Sequence, residues 1–331
     1  MIDFRYHLVS IIAVFLALAV GLVLGATALS GPALSGLQRL EKTVSRENGA
    51  LLRDRQALTN RVNADQAFAS AAAPRLLPGL LADEKVVLVQ TYNALPTVTS
   101  GLVTALHLAG ATVTGTVTLN SSFLDTSGAN EVQLKELAYS LASRAGVPLP
   151  AELPSSVGAQ QAAAKVLAAS LLNSDGSGVS AADSQYILTG LSHDNFVSVS
   201  SGSIEPASLA ILVTPGGPPP QSGGQVLVAT AVALRNASRG GTVMVGAAQS
   251  IGSPSAISAE INAKQVSTVD FADTEAGQIT TVWALRQLLD GGHPAQFGIG
   301  TGAVPTPAPT PSVTPTVSPT PSVSTHTGGH K

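Results

Sequence analysis

Residues 6–38 contain no Asp, Glu, Lys or Arg, and within them Leu8 to Leu29 reads LVSIIAVFLALAVGLVLGATAL, 22 residues in a row. A helix that crosses a hydrocarbon core of ~30 Å needs about 20 such residues. Gly21 and Gly25 are the glycines inside the run, and glycine is common in membrane helices. A buried helix of a soluble core rarely runs this long without a charge. Residues 1–30 therefore predict a membrane segment. Ala26-Thr27-Ala28 has the small-x-small form read by signal peptidase, although the run exceeds the usual apolar length of about 7–15 residues for a cleaved signal. A retained anchor and a cleaved signal both stay open.

Charge returns at once beyond this run. Residues 39–65 hold ten of the 37 charged side chains. From Leu34 to Ala73 there is no proline, and Leu37, Val44, Leu51 and Leu58 recur every seven residues, with Leu40 and Val62 beside them. A period of 3.5 predicts a coiled-coil seam in a stalk helix over 31–75. The alternate core positions are Glu47, Asp54 and Arg61, which weaken that seam. A parallel coiled coil that makes a homo-oligomer and a single water-facing helix are both consistent with the pattern.

Residues 83–300 alternate short β-branched runs with amphipathic stretches. Strands are expected at Val86–Val89, Thr112–Leu119, Val197–Ser200, Leu209–Thr214, Thr242–Gly246 and Val266–Val269. Helices are expected at Pro96–Leu108, Asn130–Arg144, Ala159–Leu172, Ala181–Leu191, Gly224–Ala237 and Glu275–Leu289. Continuous apolar strands between helices predict an α/β domain with a mainly parallel sheet flanked by helices.

The residue inventory excludes several chemistries. There is no cysteine, which removes disulfide scaffolds, thiol enzymes and Cys-type metal sites. Met1 and Met244 are the two methionines, too few for a thioether copper(I) site within one chain. Net charge is −3, without the Lys/Arg field of a nucleic-acid binder. Only one long apolar run exists, so a polytopic transporter is not expected. His193-Asp194 resembles a base with its orienter, but no G-x-S-x-G elbow accompanies it. No catalytic residue and no cofactor-binding residue is assigned, and the chain is not expected to be an enzyme. An exported α/β enzyme without a recognisable motif is the weakest alternative.

Three features remain as weak candidates for metal or anion binding. Asp270, Asp273 and Glu275 surround a strand-to-helix turn, where they cap the helix or offer oxygens to a hard cation. The loop from Thr214 to Gly224 joins a strand to a helix through glycines, a geometry open to an anion, yet it lacks a GK[ST] motif. His326 and His330 near the C-terminus offer two imidazoles to Cu(II) or Ni(II).

From Ala303 to Thr325 the chain consists of Pro, Thr, Ser, Val and Ala, with seven prolines. Such a segment cannot bury enough apolar surface to fold, and residues 301–331 are expected to be a disordered tail of the kind often O-glycosylated outside cells. Flanking charge does not set the orientation of the membrane segment. Arg5 lies before it, and Arg39, Lys42 and Arg46 lie after it. The tail composition supports export of everything after the apolar run, which puts the expected main domain outside the cytoplasm.

Two distant sets of residues carry a family resemblance. One is Val9-Ser10 followed by Ala13-Val14-Phe15-Leu16-Ala17-Leu18. The other is Ser267-Thr268-Val269-Asp270, Glu275-x-Gly277-Gln278-Ile279-Thr280, Leu288-Leu289-Asp290-Gly291-Gly292-His293 and Gln296-Phe297-Gly298. In this order they resemble the mycobacterial copper transport protein family, MctB, over Met1 to about Gly300, with the Pro/Thr tail outside. The resemblance implies a cell-envelope protein of copper transport or efflux and copper homeostasis, as an oligomeric channel component. A membrane barrel needs repeated alternating strands of about 10 residues, whereas this body reads as α/β. The resemblance brings copper as a suspected ligand but no ligand set. His293 is the histidine inside the strongest shared segment, either as a metal candidate or as a cap at a helix end. A membrane-anchored structural or scaffold protein of the envelope, without a direct copper role, is the alternative reading.

Overall fold

The computed structural model describes residues 4–151, 157–173, 178–200, 204–216, 223–247, 265–300 and 303–304, with backbone alone for 4–5 and 26–38. The expected tail, including His326 and His330, lies outside the described residues apart from Ala303 and Val304. The chain divides into two compact units, Met1–Asp65 and Gln66–Lys331.

In the first unit the backbone is helical from Phe4 onward, as part of α1 (Phe4–Leu76, 73 residues). The membrane segment expected over 1–30 and the stalk helix expected over 31–75 lie along this one helix, which runs through Pro32 and Pro74 before ending at Leu76. Proline removes one helical hydrogen bond, and long apolar and charged turns on either side carry the helix past it. Tyr6–Gly25 has the length and mean hydropathy, 2.9, of a membrane-crossing helix, and none of it is buried in protein.

The second unit is built on a seven-stranded sheet in the order β3-β2-β1-β4-β5-β6-β7. The strands are β1 (Lys85–Thr91), β2 (Thr112–Leu119), β3 (Val197–Val199), β4 (Leu209–Val213), β5 (Thr242–Val245), β6 (Ser267–Val269) and β7 (Gln296–Phe297). All neighbours are parallel except β3, which pairs antiparallel with β2. The central strand β4 reads LAILV, with every residue buried, as a strand covered on both faces requires.

The helices of this unit are α2 (Pro96–Leu108), α3 (Ser121–Leu124), α4 (Gly128–Ala145), α5 (Gly158–Leu171), α6 (Ala181–His193), α7 (Gly223–Ala237) and α8 (Glu275–Leu289). One sheet face carries Val87, Val89, Ala210, Leu212 and Met244 against residues of α3 to α7. The other carries Val86, Leu88, Ile211, Val213, Val243 and Val245 against α2, α8 and the segment Ala73–Leu81. α5 is alanine-rich and buried along most of its length, so it is enclosed by neighbouring helices rather than amphipathic.

The hand of the connections is not uniform. α2 links β1 to β2 and α7 links β4 to β5, stepping in opposite directions along the sheet from opposite faces. These two crossovers therefore share one hand. α8 steps from β6 to β7 in the same direction as α7 but lies on the face of α2. That crossover has the opposite hand, in a class where one hand is nearly universal.

Candidate functional site

Asp270 follows β6 and is 2 % exposed. Its Oδ1 accepts the Ile299 N–H at 2.9 Å and its Oδ2 accepts the Gly300 N–H at 2.8 Å. Both carboxylate oxygens are thus engaged in closing the turn after β7. Thr274 caps α8, its Oγ1 accepting the Gly277 N–H at 3.1 Å. Glu275 sits in the first turn of α8, where a carboxylate favours the positive helix end. Asp273 is exposed on the same turn. The three residues share a turn, but Asp270 points into the fold and Asp273 to solvent.

α8 ends at Asp290, with Gly291 at φ 81° and the Gly292 N–H bonded to the Gln287 carbonyl at 2.8 Å. His293 follows and is exposed, its own carbonyl accepting from Gln287 Nε2 at 3.3 Å. Among the described residues no three His, Asp or Glu side chains gather into a metal-binding group.

His193 ends α6 and holds its Nδ1 2.9 Å from Asp194 Oδ1. The imidazole is 85 % exposed and lines a groove of about 590 Å³ with Ser192, Ser198 and Ser200. The described hydrogen bonds of Ser198 and Ser200 go to Asn120 and to the Thr116 carbonyl, not to His193. Among the described residues the imidazole has its orienter, and neither the Ser198 nor the Ser200 hydroxyl is bonded to it.

A polar feature that sequence reasoning passed over lies where β1 and β4 end. Gln90 is registered with Val213, so Thr91 and Thr214 stand one residue beyond, side by side. Thr91 Oγ1, Asn93 Oδ1 and Thr214 Oγ1 are buried without a hydrogen-bond partner. An unpaired buried hydroxyl or amide oxygen costs about 1–3 kcal/mol. Other such atoms are spread over β2, α5, α6, β5 and α8; here three come from two touching segments. The sole signal in sequence is a threonine at the end of an apolar strand run.

On the first unit the heptad stripe is open. Val44, Leu51, Leu58 and Val62 are 60, 67, 63 and 49 % exposed.

Comparison with known proteins covers nearly the whole chain. A sequence profile of the family described as "Copper transport outer membrane protein, MctB" matches residues 1–307. Proteins named "Copper transporter MctB" from Mycobacterium bovis and Mycobacterium tuberculosis are 31 % identical over 313 residues, covering 92 % of this chain and 98 % of theirs. The protein of that name from Mycobacterium leprae is 31 % identical over 315 residues, with the same coverage.

Proposed function

The chain belongs to the MctB family of copper transport proteins, and from that membership we propose that it is a cell-envelope protein of copper transport and copper homeostasis. Its layout is an apolar anchor over 1–30, a stalk over 31–75, an α/β domain over 83–300 outside the cytoplasm, and a tail over 301–331. The observation that carries this reading is the end-to-end match, since relatives named for copper transport align over 98 % of their length. The apolar helix Tyr6–Gly25 supports membrane attachment. One apolar helix cannot line a water-filled pathway by itself, so movement of copper through this protein requires several copies. The open stripe along Val44, Leu51 and Leu58 supports assembly through the stalk.

Copper here is cargo. With no cysteine in the chain and no cluster of His, Asp or Glu among the described residues, a tight resident site is not expected within one copy. The same observation favours the second reading, a membrane-anchored structural or scaffold protein of the envelope without a direct copper role. Deletion of the gene should change both copper tolerance and cell-associated copper, and the full-length chain should restore them. Unchanged tolerance and copper content after deletion defeat the copper reading. A restored phenotype that depends on a co-purifying copper protein selects the scaffold.

A further inference from the structure

β1 and β4 lie side by side at the centre of the sheet, and the chain leaves their carboxyl ends toward opposite faces: β1 enters α2 on one, β4 leads to α7 on the other. Open α/β sheets form a crevice at such a switch, and their ligands bind there. In this chain residues 91–95 and 214–216 stand at that switch. They are tied together by the Gly216 N–H, which donates to the Asn93 carbonyl at 2.9 Å. Leu95 packs over Gly216, where a methyl group would come within 2.8 Å of Leu95 Cδ2.

Buried polar groups gather at this switch. Thr91 is 1 % and Thr214 is 2 % exposed, and neither hydroxyl has a partner; the same holds for Asn93 Oδ1. Buried threonines within helices bond their own backbone, as Thr230 does with the Val226 carbonyl at 2.8 Å. Thr91 and Thr214, at strand ends, have no such carbonyl in reach. Two adjacent orphan hydroxyls destabilise the chain alone and mark a place that an external group completes.

The direction of these side chains identifies the group. Alternation along the strands turns Thr91 with Val87 and Val89, and Thr214 with Ala210 and Leu212, to the face that α7 covers. α7 starts at a buried Gly223, has 15 residues and carries no acidic residue in its first turn. The positive end of this helix therefore lies on the same edge and the same face as the two hydroxyls. We propose that the β1/β4 crevice binds a phosphate group, free or carried on a larger molecule, through the Thr91 and Thr214 hydroxyls beneath the N-terminus of α7. The phosphate oxygens accept from both hydroxyls, and from the Asn93 amide when its nitrogen turns inward. No Lys or Arg lies on either segment, so binding is modest and sensitive to loss of either hydroxyl. The site is independent of copper handling and stands or falls apart from it.

The test uses the full-length protein, metal-free, in non-ionic detergent micelles. Inorganic phosphate or glycerol phosphate is titrated at constant ionic strength, and the unfolding midpoint is read from Trp283 fluorescence. Wild type should rise in midpoint with phosphate concentration, as mass action requires for a ligand of the folded state. The double variant Thr91→Val, Thr214→Val keeps the shape of both side chains and should fold at least as well without phosphate. Its response should fall at least tenfold in apparent affinity. A response to glycerol phosphate alone supports the site and makes the ligand an esterified phosphate. No rise in wild type with either compound, or an equal rise in the double variant as expected of a general salt effect, overturns the proposal.

Discussion

Asp270 reaches from the end of β6 to Ile299 beyond β7, its Oδ1 accepting the Ile299 N–H at 2.9 Å while Oδ2 accepts the Gly300 N–H at 2.8 Å. Gly298 lets the backbone pass directly over this carboxylate, since a Cβ there would collide with Oδ1. The arrangement is a structural clasp for the last strand, whose partner Val304 returns hydrogen bonds to Gln296 and Gly298. Asp270→Asn keeps one acceptor and sets an NH2 group against a backbone N–H. The expected loss is about 2–3 kcal/mol of stability, read from the denaturant midpoint by Trp283 fluorescence. Wild-type stability in this variant would remove the clasp and return Asp270 to the list of candidate ligands.

Two glycines packed around α8 should respond differently to alanine. At Gly277 a methyl group would run into the backbone of Phe271 and Ala272, which cannot move without displacing the turn that caps the helix. At Gly101 on α2 it would meet the end of the Gln278 side chain, which can swing aside at the expense of its 3.4 Å bond to the Ala272 carbonyl. Gly277→Ala should cost about 3 kcal/mol, the upper end for overpacking, and Gly101→Ala about 1 kcal/mol, one hydrogen bond. Equal midpoints for the two variants would contradict the packing of α8 on α2.

Lys85 Nζ donates to Glu205 Oε2 at 2.7 Å. That hydrogen bond, and then the Lys85 charge, hold the Glu205 carboxyl below its ordinary range. A folded-state pKa below the unfolded one adds stability that is present above the unfolded value and is lost as pH falls through the folded value. Glu205 is exposed and screened, so the contribution is small. The difference in midpoint between wild type and Glu205→Gln should therefore shrink as pH falls through the carboxylate range, and shrink with added salt at neutral pH. A difference that grows on acidification would reverse the sign assigned to this pair.

What the residue pattern reveals depends on the distance over which each feature is decided. Pro96 at a helix start and Gly110 after its end are local signals, and α2 falls at Pro96–Leu108 as expected. The Val86–Val89 run, too apolar for a one-sided strand, is central in the sheet. The short elements escaped notice: α3 spans four residues and β7 two, below the length at which periodicity exists. β3 runs antiparallel because α6 and the turn through Asn195, at φ 59°, bring the chain back beside β2. Nothing within that segment announces the direction. The clasp at Asp270 joins residues 29 and 30 apart in sequence. The orphan hydroxyls of Thr91 and Thr214 become neighbours only when β1 and β4 pair. Residues whose role is set by their own helix or strand were legible, and those set by strand pairing were not.

Leu51 and Leu58 lie two turns apart on α1, 67 and 63 % exposed, and each would bury roughly 1.5–3 kcal/mol of apolar side chain if covered. A second copy anchored in the same membrane would run parallel, which sets Glu47, Asp54 and Arg61 each against its own counterpart. Like charges at these layers oppose the leucine contacts, and their repulsion is screened by salt with a range of about 8 Å at physiological ionic strength. The full-length chain in detergent should therefore exceed the monomer mass by light scattering, and the assembled fraction should grow with salt. Leu51→Asp with Leu58→Asp should return it to a monomer while the unfolding midpoint of the α/β domain stays unchanged, because both positions fall in the separate unit Met1–Asp65. A monomer at every salt concentration, or an assembly indifferent to both substitutions, would leave the stripe as the solvated face of a single helix and move any oligomer contact elsewhere in the chain.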